Sequence, residues 1–240
     1  MAGTDVTLQD QLIAAVGDRR GLEAADQICL ACVMLFDVEA AAISAVYDGI
    51  NMGTVGVSSP SARRYDELQF TYGEGPCLDA VYSRGPVASA DLANPKELRW
   101  PAFRPALVAH TIRSVYAAPV VVAGEYVGAL DLFRTLPGDW HAETSAGALI
   151  AAQMATMPFM DLLTDDSVAA ISDPASDAWA ELSQFARAEV SQATGMLVAQ
   201  LDVTPSQALI RLRAHAYATG RSATEVARDI IERRLRLDAH

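Results

Sequence analysis

The side chains best suited to chemistry lie close together near the C-terminus of the 240-residue chain, on or beside one predicted helix. They are basic and aromatic: Arg211, Arg213, His215, Tyr217 and Arg221. Arginine and aromatic rings are the groups with which proteins stack on, and hydrogen-bond to, the splayed bases of RNA loops. Arg211 and His215 are four residues apart and share a helix face, as do Arg213 and Tyr217. This set is a candidate binding face for RNA, although arginines on short helices can also simply solvate their outer faces.

A small-residue surface precedes this set on the neighbouring predicted helix. Ala193, Thr194 and Gly195 carry little side-chain bulk, so a nucleotide backbone could come close there. Several positions also have a structural interpretation. Ala193 and Gly195 could serve tight helix packing, Arg213 could form an ion pair with a nearby acid, and Tyr217 could be a core residue.

The charge distribution restricts where nucleic acid can bind. Residues 1–178 carry 10 basic and 23 acidic side chains, whereas residues 179–240 carry 8 basic and 7 acidic ones, within a net charge of −12. An acidic chain is a poor non-specific binder of phosphate. Any contact with nucleic acid is therefore expected at the C-terminal end, where it must depend on shape and specific contacts more than on bulk charge.

Other chemistries have little support in the sequence. Cys29 and Cys32 form a C-x-x-C pattern inside an apolar helical stripe, where small buried thiols are ordinary core residues, and Cys77 is a third cysteine. Three cysteines do not make a disulfide framework, and a lone His110 does not indicate haem. No metal-ligand cluster, P-loop, dinucleotide fingerprint or hydrolase elbow is present. We expect no catalytic residue, no metal and no cofactor.

Length and composition favour one large or two ordinary domains. No run of about 18 apolar residues occurs, and the N-terminus lacks a basic segment followed by an apolar one. A cytoplasmic protein without a membrane partner is expected.

The predicted elements of the first two thirds alternate between helices and strands. A helical stretch over 7–36 is broken at Gly17–Gly21, and Asp48-Gly49 is a strong hairpin signal. The turn Gly73-Glu74-Gly75-Pro76 could hold an anion on its backbone amides or serve as a structural helix entry. The remaining predictions are strands at 40–47, 50–57, 114–122 and 125–133, partial helix at 61–71, and helices at 77–83, 101–110 and 140–163, the last with a kink at Pro158.

Three further helices are predicted at the C-terminal end. The first runs from about 178 to 200, the second begins at Thr204-Pro205 and ends at Gly220, and the third begins near Ser222 with Glu225 at the capping-box offset. The acidic, proline-containing stretch before them predicts a joint between two domains.

Two family resemblances cover most of the chain. The segments YGEGPCLDAVYSRGPVASADL at 72–92 and RWPAFRPALVAHTIRSVYAAPVVVAGEYVGALDLF at 99–133 resemble a GAF domain, and residues 186–235 resemble an ANTAR domain, as in actinobacterial regulators. The resemblance implies an α+β fold with an antiparallel GAF-type sheet flanked by helices, followed by a three-helix ANTAR bundle. The expected boundaries are 1–163 for the GAF domain, 164–177 for a linker and 178–240 for the ANTAR domain.

The resemblance also implies a function. ANTAR domains bind RNA stem-loops in nascent transcripts and control termination, while GAF domains sense a small molecule or a partner. The apolar stripe on the predicted helix from 178 to 200, which joins the two domains, separately predicts a homodimer. In the family the small-residue segment is often Ala-Lys-Gly, so Thr194 removes one phosphate contact. Two alternatives remain open. The C-terminal helices could be a DNA-binding helix-turn-helix. However, Ser222, Thr224 and Glu225, at the start of what would be its recognition helix, are poorly suited to contacting bases. The other alternative is a cysteine-dependent sulfoxide reductase on a GAF fold.

Overall fold

The computed structural model describes residues 7–47, 49–162 and 187–238. The elements of the N-terminal part are α1 (Leu8–Val16), α2 (Gly21–Leu35), β1 (Ala40–Tyr47), β2 (Ile50–Val57), α3 (Pro60–Tyr72), α4 (Pro76–Ser83), β3 (Val87–Ser89), α5 (Phe103–Ala109), β4 (Ser114–Val122), β5 (Glu125–Arg134), α6 (Ala142–Met154) and α7 (Thr156–Asp161). Those of the C-terminal part are α8 (Ala188–Leu201), α9 (Pro205–Thr219) and α10 (Ala223–Ile231).

The strands form one antiparallel sheet in the order β2-β1-β5-β4-β3. The β4–β5 hairpin turns at Ala123 and Gly124, whose φ angles are +51° and +89°. The expected α+β fold is confirmed, and the four predicted strands are present. The fifth strand, β3, was not predicted from the sequence. It has three residues and pairs with β4 alone, too short a stretch to show an alternating pattern.

Helices cover both faces of the sheet because side chains alternate along each strand. On one face Ile43, Leu130 and Leu132 pack in a core with α1, α2, α6 and α7. On the other face Ala42 and Phe133 pack against α3 and α5. The second face also carries two fully buried polar residues on neighbouring strands, Ser44 and Asp131.

The helices agree with the predictions in most places. The break at Gly17–Gly21 separates α1 from α2, and the kink expected at Pro158 takes the form of an interruption at Ala155 between α6 and α7. Helix α3 is continuous from Pro60 to Tyr72, where only partial helix was expected. Among the described residues, no helix is both long and apolar enough to cross a membrane.

The C-terminal helices form a small bundle. Capping boxes begin α9 at Thr204 and α10 at Ser222, and Gly220 ends α9 in the left-handed conformation, as predicted. The bundle core contains Leu197, Leu212 and other residues of all three helices, and also Phe70, which belongs to α3. The bundle therefore completes its core with a residue of the N-terminal domain. The predicted linker and the start of the first helix lie outside the described residues.

Candidate nucleic-acid interface and domain junction

Helix α3 is the element on which both domains meet. It is a helix because the Ser59 side chain accepts a hydrogen bond from the backbone N–H of Ala62, Pro60 suits the first turn, and Gly73 ends it with φ +67°. Four residues of its second half point in two directions. Asp66 and Gln69 point into the sheet domain, while Glu67 and Phe70 contact the C-terminal bundle.

Asp66 is the acceptor at the centre of a buried polar cluster. Its carboxylate is fully buried and accepts hydrogen bonds from Ser44 Oγ at 2.5 Å, from Asn51 Nδ2 at 2.6 Å and from the hydroxyl of Thr54. The fourth donor comes from the C-terminal part, because Arg187 Nη2 lies 2.9 Å from Asp66 Oδ2. A buried carboxylate is stable when it is paired and hydrogen-bonded in this way.

Gln69 fills the space beside this cluster. Its Nε2 donates to Asp131 Oδ2 at 2.6 Å, and its Oε1 accepts from the backbone N–H of Cys77 at 2.9 Å. Gly75 has φ +148°, and a Cβ built there would lie 2.3 Å from Gln69 Oε1, so only glycine fits. The turn before α4 thus binds the protein's own glutamine through the Cys77 amide, which accounts for it as a structural helix entry.

The same region brings three potential metal ligands together. Single ligand atoms of Asp66, Cys77 and Asp131 all lie within 4.8 Å of one another, and all three residues are buried. Burial raises the pKa of Asp131 and of the Cys77 thiol well above their ordinary values, and both then stay neutral. Arg187 already compensates the charge of Asp66. An added cation would have to displace a guanidinium, so this donor set does not make a metal site.

Arg187 fastens the bundle to the sheet domain. Only 6% of its side chain is exposed, and its backbone takes the left-handed conformation with φ +46° immediately before α8. Besides Asp66, its guanidinium binds Glu67 Oε2 at 3.2 Å and donates to Asn51 Oδ1 at 2.9 Å. No local sequence pattern indicates this role, since the acceptors lie more than a hundred residues away along the chain.

Helix α10 is capped by α3. Its first backbone amide, that of Ala223, donates to Thr71 Oγ1 at 3.1 Å. Glu67 Oε1 accepts from both the backbone N–H and the hydroxyl of Thr224, at 3.2 and 2.7 Å. A carboxylate at a helix N-terminus is favourable for the exposed amides and the helix dipole. The N-terminus of α10 is therefore committed to the sheet domain.

Arg213, one of the predicted RNA contacts, faces the sheet domain. Its guanidinium carbon lies 4.4 Å from the centroid of Phe70, the same distance as that of Arg187. Its Nε is buried and has no hydrogen-bond partner among the described residues. Burial, and next the charge of Arg187, lower the pKa of Arg213 to about 10, while Glu67 acts in the opposite direction.

The other predicted RNA contacts do not share one surface. Tyr217 lies beside Arg213 at the junction. Its exposed ring packs edge-to-face with the ring of Tyr72, and the two ring centroids are 5.7 Å apart. Arg211 and His215 are partly buried and lie on the opposite flank of α9. Arg221 is held by Asp229, whose carboxylate lies 2.7 Å from its guanidinium.

The small-residue segment of α8 spans inside and outside of the bundle. Ala193 is fully buried in the bundle core, so its side chain is not available to a ligand. Thr194 is partly buried and donates its hydroxyl to the Val190 carbonyl at 2.7 Å. Gly195 is exposed, and among the described residues no heavy atom lies within 4 Å of a Cβ built there. Tight packing therefore accounts for Ala193 but not for Gly195.

The cysteines are core residues. Cys29, Cys32 and Cys77 are free and fully buried. Burial raises the pKa of the Cys32 thiol to about 12 and raises the pKa of the Cys29 and Cys77 thiols well above the ordinary value. Because the thiolate is the reactive form, these environments do not suit cysteine catalysis.

Two family models match the chain, one in its N-terminal part and one in its C-terminal part. The family model of the GAF domain matches residues 21–157, and that of the ANTAR domain matches residues 185–231. No curated protein matches the chain.

Solved structures match the N-terminal part. The GAF domain of a phosphoenolpyruvate-protein phosphotransferase from Coxiella burnetii is 16% identical with a TM-score of 0.52, over 65% of this chain and 92% of that one. The GAF domain of the Acinetobacter phosphotransferase is 10% identical with a TM-score of 0.50, over 68% and 96%. A free methionine-R-sulfoxide reductase from Neisseria meningitidis is 14% identical with a TM-score of 0.48, over 67% and 93%. At these identities the likeness shows the fold alone, and the last is too distant for any argument.

Proposed function

We propose, since the chain belongs to the GAF domain family and carries an ANTAR domain behind it, that this protein is an RNA-binding regulator of transcription antitermination. ANTAR domains are RNA-binding antitermination modules, and GAF domains sense small molecules or partners. The observation that carries the proposal is the match of residues 185–231 to the ANTAR family, on a bundle whose helices have the expected caps and core.

The RNA interface in this proposal has an accessible part and a covered part. Gly195 offers an open backbone surface on α8, and Arg211 and His215, both partly buried, offer a cation and a ring on the flank of α9 opposite Arg213. Arg213 and Tyr217 lie against Phe70 and Tyr72 of the GAF domain. RNA can contact all of these residues only when the bundle separates from α3. The contacts around α3 are therefore where the GAF domain can control RNA binding.

This control is a shift between two arrangements of the same chain. In the docked arrangement Arg187, Glu67 and Thr71 hold the bundle against the GAF domain. In the released arrangement these contacts open and Arg213 becomes available. We further propose that the protein acts in the cytoplasm as a homodimer, with a GAF domain at 1–163, a linker at 164–177 and an ANTAR domain at 178–240.

The DNA-binding alternative loses support at the start of α10. A helix-turn-helix reads bases with residues near the N-terminus of its second helix. Here Ser222 and Glu225 form the capping box, and Thr224 is bound to Glu67 of the GAF domain. Ser222 and Glu225 are thus engaged within α10 itself in either arrangement, whereas Thr224 is engaged only in the docked one.

A titration of the full chain against three matched probes tests the proposal. The probes are an RNA with two hairpins and hexanucleotide loops, the same RNA with scrambled loops, and duplex DNA. We expect binding to the first alone. Arg213→Ala should weaken it about tenfold or more, since a stacking contact with a base contributes about 1–3 kcal/mol.

Arg63→Ala replaces an arginine at the exposed start of α3, away from the bundle surface described above, and should leave RNA affinity unchanged. Equal affinity for the scrambled loops or for duplex DNA would contradict loop recognition. Equal affinity of Arg213→Ala and the parent chain would remove Arg213 from the interface.

A further inference from the structure

A cavity of about 550 Å³ opens between the two domains, at the place where Arg213 meets Phe70. Its GAF side is formed by the start of β2, including Ile50 and Met52, and its ANTAR side by α8 and α9, including Leu209. This volume is in the range of pockets that hold small organic ligands. The cavity borders the polar cluster under α3 and shares Asn51 and Arg187 with it.

The walls of this junction cavity are mainly apolar. Val190, Leu209 and Ile210 face it from the bundle, and Met52 and Ile210 at its mouth are themselves exposed by 45% and 63%. Apolar walls of this kind favour a ligand with a hydrocarbon or aromatic body, because such a body loses contact with water when it enters.

The charge inside the cavity is positive and incompletely compensated. Both Arg187 and Arg213 line it, and none of the described lining residues is acidic. Arg187 is satisfied by Asp66 and Glu67 from behind. Arg213 forms no hydrogen bond or ion pair with a described residue, and its Nε is buried without a partner. Arg213 is partly buried and is influenced by the charge of Glu67 without an ion pair to it, so its unused donor can still take an anionic acceptor.

We propose that the junction cavity binds a small organic anion, a carboxylate on an apolar body, with the carboxylate on the Arg213 guanidinium and the body between the Ile50–Met52 edge and Leu209. A guanidinium fork matches the geometry of a carboxylate, and Phe70 holds the fork in position by stacking on its face. The ligand touches both domains at once.

A ligand that fits only the docked arrangement stabilises that arrangement. It also occupies Arg213, so ligand and RNA should each weaken the binding of the other by the same factor. This regulatory step rests on the proposed RNA function, whereas occupation of the cavity does not.

Calorimetric titration of the full chain, without RNA, tests occupation. The probes are three carboxylates of increasing size (benzoate, 4-phenylbutyrate and 1-naphthylacetate), the amide of each, and inorganic phosphate. We expect at least one carboxylate to bind at least tenfold more tightly than both its amide and phosphate. Failure of all three carboxylates, or equal affinity for acid and amide, would overturn the proposal. Phosphate binding as tight as that of the best carboxylate would remove the apolar body from it.

Three variants locate the site. Arg213→Met should weaken the best carboxylate at least tenfold, and Ile210→Glu, at an exposed position on the mouth, should do the same by repelling the anion. Arg211→Met, two residues away and outside the cavity, should stay within twofold of the parent chain. An unchanged affinity in Ile210→Glu and Arg213→Met, with circular dichroism showing folded protein, would place the anion elsewhere and overturn the assignment.

The regulatory step has its own readout. The double-hairpin RNA should bind more weakly when the best carboxylate is present at saturation, and Arg213→Met should abolish this effect of the carboxylate. RNA affinity that is independent of the carboxylate would overturn the regulatory step. Absence of any RNA binding would count against the proposed function, while the calorimetric result on the cavity would stand.

Discussion

Arg187 and Arg213 both stack on Phe70, each with its guanidinium carbon 4.4 Å from the ring centroid, yet their surroundings differ. Arg187 is bound by the carboxylates of Asp66 and Glu67 and is almost fully buried. Arg213 has a buried Nε without a partner among the described residues, and it lines an open cavity. One ring therefore carries a fully paired cation and an unpaired one.

The two arginines therefore have different roles at the junction. A paired, buried arginine holds two surfaces in one arrangement, because removing it leaves a charge without compensation. An unpaired arginine beside a cavity contributes less to that arrangement and keeps its donors for a ligand. We infer that Arg187 sets the geometry of the junction and that Arg213 responds to what binds there.

Replacing Arg187 should have the largest effect on stability. Arg187→Met removes the cation but leaves Asp66 buried, and breaking a buried pair in this way costs about 3–5 kcal/mol. The measurement is urea unfolding followed by intrinsic fluorescence, since Trp100 lies in the core of the GAF domain.

The matched control for this prediction removes both charges. Asp66→Asn combined with Arg187→Met should recover part of the loss, because no unpaired charge then remains in the core. A loss below about 1 kcal/mol in Arg187→Met would show an exposed, weak ion pair and would break the contrast with Arg213.

The same contrast exists between two carboxyl groups, and pH can reveal it. Asp66 has Arg187 as partner, whereas Asp131 accepts from Gln69 and pairs with no cation among the described residues, and burial raises the pKa of Asp131 well above its ordinary value. The folded chain thus keeps a proton that the unfolded chain releases above about pH 4. Between the unfolded and folded pKa values of Asp131, stability should fall as pH rises, by about 1.4 kcal/mol per unit.

Asp131→Asn should abolish this loss, because the amide cannot ionise and can still accept from Gln69. The free energy of unfolding of the variant, minus that of the parent chain, should therefore increase from pH 5 to pH 7. Asp66→Asn is the control, and it should be destabilised at both pH values since it deprives Arg187 of its partner. A difference that stays constant with pH would mean that Asp131 is not neutral in the folded chain.

Local signals in the sequence predicted most of the elements, and long-range pairing produced the rest. The capping residues Thr204 and Ser222 and the turn at Ala123 act on neighbours within a few residues, so their effect can be read directly. Arg187 finds its acceptors more than a hundred residues away, and Arg213 finds Phe70 across the domain boundary. No local pattern encodes such pairs.

Local patterns also account for only part of the candidate site. Ala193 belongs to the buried stripe of α8 with Val190 and Leu197, so helical periodicity already indicated a core position for it. Gly195 and Arg211 do lie at or near the surface, as an interface requires. The separation of Arg213 from Arg211 follows from helix geometry, but the identity of the surface that Arg213 contacts does not.

Gly195 lies on the solvent side of the bundle and tests whether that face contacts RNA. Gly195→Ala should stabilise the bundle by about 1 kcal/mol, since a Cβ there meets open space and alanine is the better helix former. If RNA approaches the backbone at this point, the same change should weaken RNA binding. Ala199→Gly, four residues further along the same exposed face of α8, should destabilise the bundle by a similar amount and is the control for helix propensity. Unaltered RNA binding in Gly195→Ala would remove this segment from the interface.

Replacing Arg213 should have the smallest effect on stability and therefore tests the contrast most directly. Arg213→Met loses the stacking on Phe70, which contributes roughly 0.5–2 kcal/mol, but it also relieves a buried donor without a partner, and the two effects oppose each other. The free energy of unfolding should stay within about 1 kcal/mol of the parent value, against the several lost in Arg187→Met. A loss as large as that of Arg187→Met would mean that both arginines fasten the junction. Arg213 would then be committed to the docked arrangement, and RNA could engage it only by breaking a contact that fastens the junction.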